Sequence, residues 1–222
     1  MAIFFTSDTH FSHFNIIQYA TRPFDDIDQM NAEIIRRWNT VVGEDDTVYH
    51  LGDVAMGKLE ISLAHVTRLN GHKILVAGNH DKCWIGDRAY RKGTDAQVIA
   101  LRLQKNRKLY FNAGFSEIIN SPDVNGKTLE LTLSTGLKVA VSHFPYQGDS
   151  QDQDRYTQWR PKDEGLPLIT GHVHGKWLQR GKMLNVGIDQ WNGYPVPEEK
   201  VSQMLSTPSD IYLTDAQRWK AE

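Results

Sequence analysis

Five short clusters of metal-capable residues restrict this chain more than any other feature: Asp8-Thr9-His10, Gly52-Asp53, Gly78-Asn79-His80-Asp81, Ser142-His143 and Gly171-His172-Val173-His174. Each follows an apolar or alternating run that reads as a strand. In open α/β sheets the ligand site forms beyond the carboxyl ends of the strands, so residues far apart in sequence converge when each terminates a neighbouring strand. Asp8 and His10 stand two apart, as do His172 and His174, and in extended backbone that spacing points both members of a pair to the same side. Glycines at 52, 78 and 171 permit a sharp turn where each strand hands over its side chains.

The intervening pattern predicts how those strand ends are carried. Ala2 to Ser7, Asp46 to Leu51 and Lys73 to Ala77 read as strands, with helices over Ile27 to Val41, near Leu59 to Leu69, and over Thr94 to Lys105. Strands alternating with helices argue for an α/β first half. Thr128 to Leu133 and Lys138 to Ser142 then alternate as strands after an Asn125-Gly126 turn, and Leu168-Ile169 is a short apolar strand. Gly181 separates Trp177-Leu178-Gln179 from Met183 to Val186 as a last hairpin, and a short helix covers about Glu198 to Leu205. The segment 147–165 lacks periodicity and is long for a plain connection, which marks it as a substrate-facing loop.

Composition narrows the function classes. A chain of 222 residues with 40% hydrophobic content suits a single domain spanning 1–222. A formal charge of −2 provides no global basic field, so strong non-specific nucleic-acid binding is not expected, although a local site can still take a nucleotide. Cys83 is the only cysteine, which excludes an internal disulfide and favours a reducing compartment, the cytoplasm. Met1 to Phe5 lacks the basic start and long apolar core of a signal peptide, and no stretch approaches the roughly 18 apolar residues of a membrane span. Oligomeric state is left open.

Carboxylate, imidazole and amide donors together suit borderline-to-hard divalent metals such as manganese, iron or zinc, and one thiol cannot build an all-cysteine site. Asp53 is central enough to bridge two ions. In order, the five blocks resemble the calcineurin-like metallophosphoesterase family, whose pattern runs D-x-H, G-D, G-N-H-[DE], a lone His and G-H-x-H. Five ordered blocks spanning about three quarters of the chain are far more specific than any one alone. The resemblance implies an α/β fold of two mixed β-sheets packed as a sandwich and flanked by helices. It implies Asp8, His10, Asp53 and His174 on one metal, Asp53, Asn79, His143 and His172 on a second, and His80 as the catalytic histidine near the substrate. Ser7 to Ile17, with a second histidine at His13, is similar to the first block of small bacterial and phage members.

The resulting expectation is a binuclear metal-dependent phosphoesterase, with manganese favoured and iron, zinc, nickel or cobalt as other options. A phosphodiesterase acting on a small nucleotide or nucleic-acid-derived substrate leads. A phosphomonoesterase, a nuclease on long DNA or RNA, and a protein-binding scaffold without catalysis are the alternatives. One departure counts against phosphoprotein phosphatase activity: that branch extends its second block to G-D-x-x-D-R-G, whereas this chain has Met56 where the carboxylate paired with the catalytic histidine would stand. The orienting partner of His80 is therefore unassigned, and Asp81 is only adjacent. His13, Arg155 and Arg160 are expected at the substrate phosphate. Tyr156, Trp159 and Trp191 either stack a base or pack; Asn185 to Asp189 closes the rim; His50, His65 and His72 are structural or exposed.

Overall fold

The computed structural model describes residues 1–87 and 95–219. In chain order the elements are β1 (Ile3–Thr6), α1 (Ile16–Tyr19), α2 (Ile27–Val41), β2 (Thr47–His50), α3 (Leu59–Ser62), β3 (His72–Val76), α4 (Ala96–Asn112), β4 (Phe115–Ile119) and β5 (Leu129–Thr132). There follow β6 (Lys138–Val141), β7 (Leu168–Thr170), β8 (Gln179–Gly181), β9 (Met183–Asn185), β10 (Val196–Pro197), α5 (Glu198–Leu205), β11 (Ser209–Ile211) and α6 (Asp215–Arg218). One sheet runs β10-β1-β2-β3-β4 and the other β11-β8-β9-β7-β6-β5. Parallel pairs join β1 through β4, while β10 adds an antiparallel edge. In the second sheet β6, β7 and β9 are parallel and the outer pairs are antiparallel. Two mixed sheets with flanking helices are the architecture expected from the sequence.

The strands' alternation builds three apolar layers. Phe4, Val48 and Leu75 face α2, whereas their neighbours Phe5, Tyr49 and Val76 face the second sheet. Val139, Val141, Ile169 and Leu184 complete that central layer from the other side, and Ala140, Leu168 and Met183 point outward to Trp177. Helix α2 starts where the Asp26 carboxylate accepts the Gln29 N–H. It buries Met30, Ile34 and Trp38, spaced four apart along one face.

Three departures from the sequence reading have physical causes. The helix expected near Leu59 to Leu69 is α3 followed by a 3₁₀ turn over Leu63–Arg68. There the Ser62 and Thr67 hydroxyls donate back to the Lys58 and Ala64 carbonyls and compete with the helical ladder. β4 was not anticipated because its apolar residues do not alternate: the register shifts between Lys73 and Ile74, so Phe115 and Ile118 are buried while Ser116 and Glu117 are exposed. The helix placed at Thr94 to Lys105 is α4, capped by Asp95, whose carboxylate accepts the Gln97 and Val98 N–H groups; Thr94 itself lies outside the described residues.

Candidate metal centre

The clusters leave the carboxyl ends of β1, β2 and β3 in one sheet and of β6 and β7 in the other. Pairing continues past the strands: Asp8 and His10 donate their N–H groups to the Gly52 and Asp53 carbonyls at 2.9 and 3.0 Å. The sheets are tied at the same place, since the His172 N–H donates to Oδ2 of Asp8 at 3.0 Å. Gly78 and Gly171 are required here by crowding. A Cβ on Gly78 would stand 2.5 Å from Oδ1 of Asp53, and one on Gly171 would stand 2.7 Å from Oδ2 of Asp8.

Side-chain donors collect into two groups, Asp8, His10 and His174 in one and Asp53, His143 and His172 in the other, each with its ligand atoms within 4.8 Å of one another. Oδ2 of Asp53 lies 3.7 Å from Nε2 of His10 and 3.6 Å from Nε2 of His143, so it stands between the groups. Oδ1 of Asp8 lies 3.8 Å from Nε2 of His10 and 4.0 Å from Nε2 of His174. These separations are too long for hydrogen bonds. They suit donors sharing an ion at about 2.0–2.2 Å from each. Asp8 Oδ1, His10 Nε2 and Asp53 Oδ2 are buried without a hydrogen-bond partner, a costly state that a metal would relieve.

The convergence of each pair does not come from extended backbone. Asp8, His10, Asp53, His172 and His174 all have positive φ, between 45° and 70°, and make up five of the nine such non-glycine residues among those described. Left-handed turns, not strand period, aim the side chains inward. Each costs about 1–3 kcal/mol and persists only where the surroundings enforce it.

Outer partners decide which ring nitrogen faces the centre. Nδ1 of His143 donates to the Leu51 carbonyl at 2.6 Å, leaving Nε2 toward Asp53, 3.1 Å from Oδ1 of Asn79. Nδ1 of His174 meets Oδ2 of Asp189 at 2.8 Å, and Nε2 of His172 meets Oδ2 of Asp149 at 3.2 Å. Asp189 is itself clamped by the buried Arg22, whose guanidinium also donates to the Asp8 and Thr9 carbonyls. Asp81, adjacent to His80 in sequence, has its carboxylate engaged elsewhere. Its carboxylate accepts the Asp53, Val54 and Gly78 N–H groups and the Tyr110 hydroxyl, and so holds two of the turns in shape.

Burial, then the neighbouring His174, pushes the His10 imidazole well below its ordinary value, which keeps it neutral and able to ligate. For His174 burial works against charge, but the Asp189 hydrogen bond and the Asp8 and Asp189 carboxylates hold it above the ordinary value. Asp189 is depressed: burial opposes its charge, and Arg22 and His174 outweigh it.

His80 donates its N–H to Oδ1 of Asp53 at 2.8 Å, and its side chain is 41% exposed. It lines two adjoining clefts. One, of about 540 Å³, includes His13, Tyr19, Arg155 and Lys176. The other, of about 650 Å³, includes Asn79, Trp84, Arg155 and Trp159. Arg155 thus faces both, while also gripping Asp149 at 2.6 Å. Arg160 lines neither cleft and ties the loop 147–165 to itself through the Gly148 and Arg155 carbonyls and Asp154. Trp191 packs against the central layer and donates to the Asn185 carbonyl.

Sequence reading missed Arg22, Asp149 and Asp189. Asp189 at least lay in a segment marked as the rim; a lone arginine before a proline and an acid in an aperiodic loop carried no signal. His50, set aside as structural, is buried between Thr9 and Gly52.

Comparison with known proteins agrees with this geometry. The family model for calcineurin-like phosphoesterases matches residues 1–176. The chain is 32% identical to the Gene 66 protein of Mycobacterium phage L5 over 91% of this chain and 93% of that one. It is 30% identical to the Gene 66 protein of Mycobacterium phage D29 over 92% and 96%. A solved structure, the Aquifex aeolicus protein of unknown function AQ665, shares the fold with a TM-score of 0.61 at 23% identity, covering 91% of this chain and 98% of that one. Two donor groups at converging strand ends and a family match over residues 1–176 lead to one conclusion: this chain belongs to the calcineurin-like phosphoesterase family, whose members are metal-dependent phosphoester hydrolases.

Proposed function

We propose that the protein is a binuclear phosphodiesterase acting on a small nucleotide or nucleic-acid-derived ester, with manganese as the favoured metal and the cytoplasm as its setting. The observation that carries the binuclear reading is Oδ2 of Asp53, buried, without a hydrogen-bond partner and standing between the two donor groups. Asp8, His10, Asp53 and His174 would hold one ion, and Asp53, Asn79, His143 and His172 the other. Two divalent ions supply Lewis acidity at phosphorus and activation of water. His80 lies at the junction of the two clefts and stabilises charge on the phosphate oxygens or protonates the leaving oxygen. His13 and Arg155 are the proposed phosphate contacts. Two clefts meeting at one histidine favour a diester, because each ester substituent has its own space.

The reading is tested with metal-stripped protein reloaded with manganese, by comparing hydrolysis of bis(p-nitrophenyl) phosphate and p-nitrophenyl phosphate. Faster cleavage of the diester is expected. Faster cleavage of the monoester would move the assignment to phosphomonoesterase, and no manganese-dependent turnover of either would favour the scaffold reading.

A further inference from the structure

The two clefts beside His80 differ in chemistry. The larger is walled by aromatic rings that run without a break from the metal centre. The His143 and Phe144 ring centroids lie 5.0 Å apart, Phe144 and Tyr156 5.3 Å, Phe144 and Trp84 5.4 Å, and Trp84 and Trp159 5.1 Å. Trp84 and Phe144 are buried and make the foundation, whereas Tyr156 and Trp159 are only partly buried. Trp159 and Trp84 line the open space together with Gly86 and Gln158.

This wall is held in place. Tyr156 takes a left-handed conformation with φ 57°, and the Trp159 N–H donates to its carbonyl at 2.8 Å, which turns the Trp159 ring back onto Trp84. The Arg155–Asp149 pair and the bond from Arg160 to the Gly148 carbonyl brace the same loop. A Cβ on Gly86 would stand 2.5 Å from the Trp84 ring and 2.8 Å from the Trp159 ring, so only glycine lets the backbone lie against both indoles. A rigid aromatic wall loses little entropy when it takes a planar ligand.

We propose that this cleft is a nucleobase subsite, with Trp159 as its specificity-determining residue. The inference rests on the phosphodiesterase reading and adds which ester it selects. Arg155, at the mouth shared with His80, places the phosphate; the base then reaches the indole of Trp159, backed by the buried Trp84, where Gln158 offers both a donor and an acceptor to its edge. The smaller cleft, lined by His13, Ser150, Gln151 and Lys176 and with no tryptophan, receives the other ester group. Stacking on an aromatic side chain tolerates any base, so the subsite selects nucleosides over sugars and alkyl groups more than it distinguishes one base from another.

The test keeps the leaving group constant. Manganese-loaded full-length protein is assayed on thymidine 5′-(p-nitrophenyl phosphate) and on methyl p-nitrophenyl phosphate. The ratio of their kcat/KM values is expected at about 5- to 150-fold in favour of the nucleoside ester, the range of one stacked base. In Trp159→Ala that ratio falls toward one, and in Trp159→Phe most of it survives. A wild-type ratio near one, or a ratio unchanged in Trp159→Ala, would overturn the subsite. If neither ester is turned over, the hydrolase reading fails, and calorimetry with thymidine 5′-monophosphate and 2-deoxyribose 5-phosphate decides the subsite alone: tighter nucleotide binding by the same factor supports it, and equal affinities refute it.

Discussion

Asp149 shows how much of this centre lies beyond the residues that carry its sequence pattern. Its side chain is almost fully buried, it holds Nε2 of His172, and it takes Arg155 with its other oxygen. Removing such an outer partner costs about 10- to 100-fold in metal affinity. Asp149→Ala is expected to weaken manganese binding by that factor in calorimetry; unchanged affinity would show that His172 is oriented without it. His50 has a different duty. Nδ1 accepts the Gly52 N–H, so the ring proton sits on Nε2 and is donated in a hydrogen bond to the Thr9 hydroxyl, which in turn donates one to the Val54 carbonyl. Burial lowers this imidazole from 6.5 to about 3. Between those values the unfolded chain binds a proton that the folded chain does not, so stability falls as pH drops from about 6.5 to about 3. The slope from this one group is at most about 1.4 kcal/mol per pH unit. Urea unfolding at a series of pH values is expected to show a shallower acid limb in His50→Gln than in the wild type, and identical slopes would contradict the burial argument. Residue identity made the donors readable, because Asp, His and Asn at strand ends announce their chemistry. Their geometry was not readable, since positive φ at Asp8, His10, Asp53, His172 and His174 is enforced by tertiary bonds such as His172 to Asp8.

At the scale of elements, the central layer between the sheets carries the strand ends, and Leu184 on β9 is fully buried in it beside Val186 and Ile169. Leu184→Ala is expected to lower the unfolding free energy by about 2–5 kcal/mol, measured by chemical denaturation. A loss below about 1 kcal/mol would show that the layer closes over the cavity. Elements with a clean period were legible: β1, β2 and β3 as apolar runs and α2 with its buried stripe. β4 was hidden by its bulge against β3, and β10 and β11 by lengths of two and three residues, too short to show a period. The segment after Leu59 failed as a helix because serine and threonine hydroxyls compete for its carbonyls.

For the molecule as a whole, the two sheets serve to bring donors from both halves of the chain within reach of Asp53. Strained turns and unpartnered buried carboxylate and imidazole atoms meet at that junction, which is why the proposed function places two ions there. Among the described residues no helix is long and apolar enough to cross a membrane. The measurement that tests this account most directly is the stoichiometry of manganese binding to metal-stripped protein, read by elemental analysis after dialysis at saturating metal. Two ions per chain are predicted, falling in Asp53→Ala because both groups lose their shared oxygen. One ion or none in the wild type would contradict a binuclear centre.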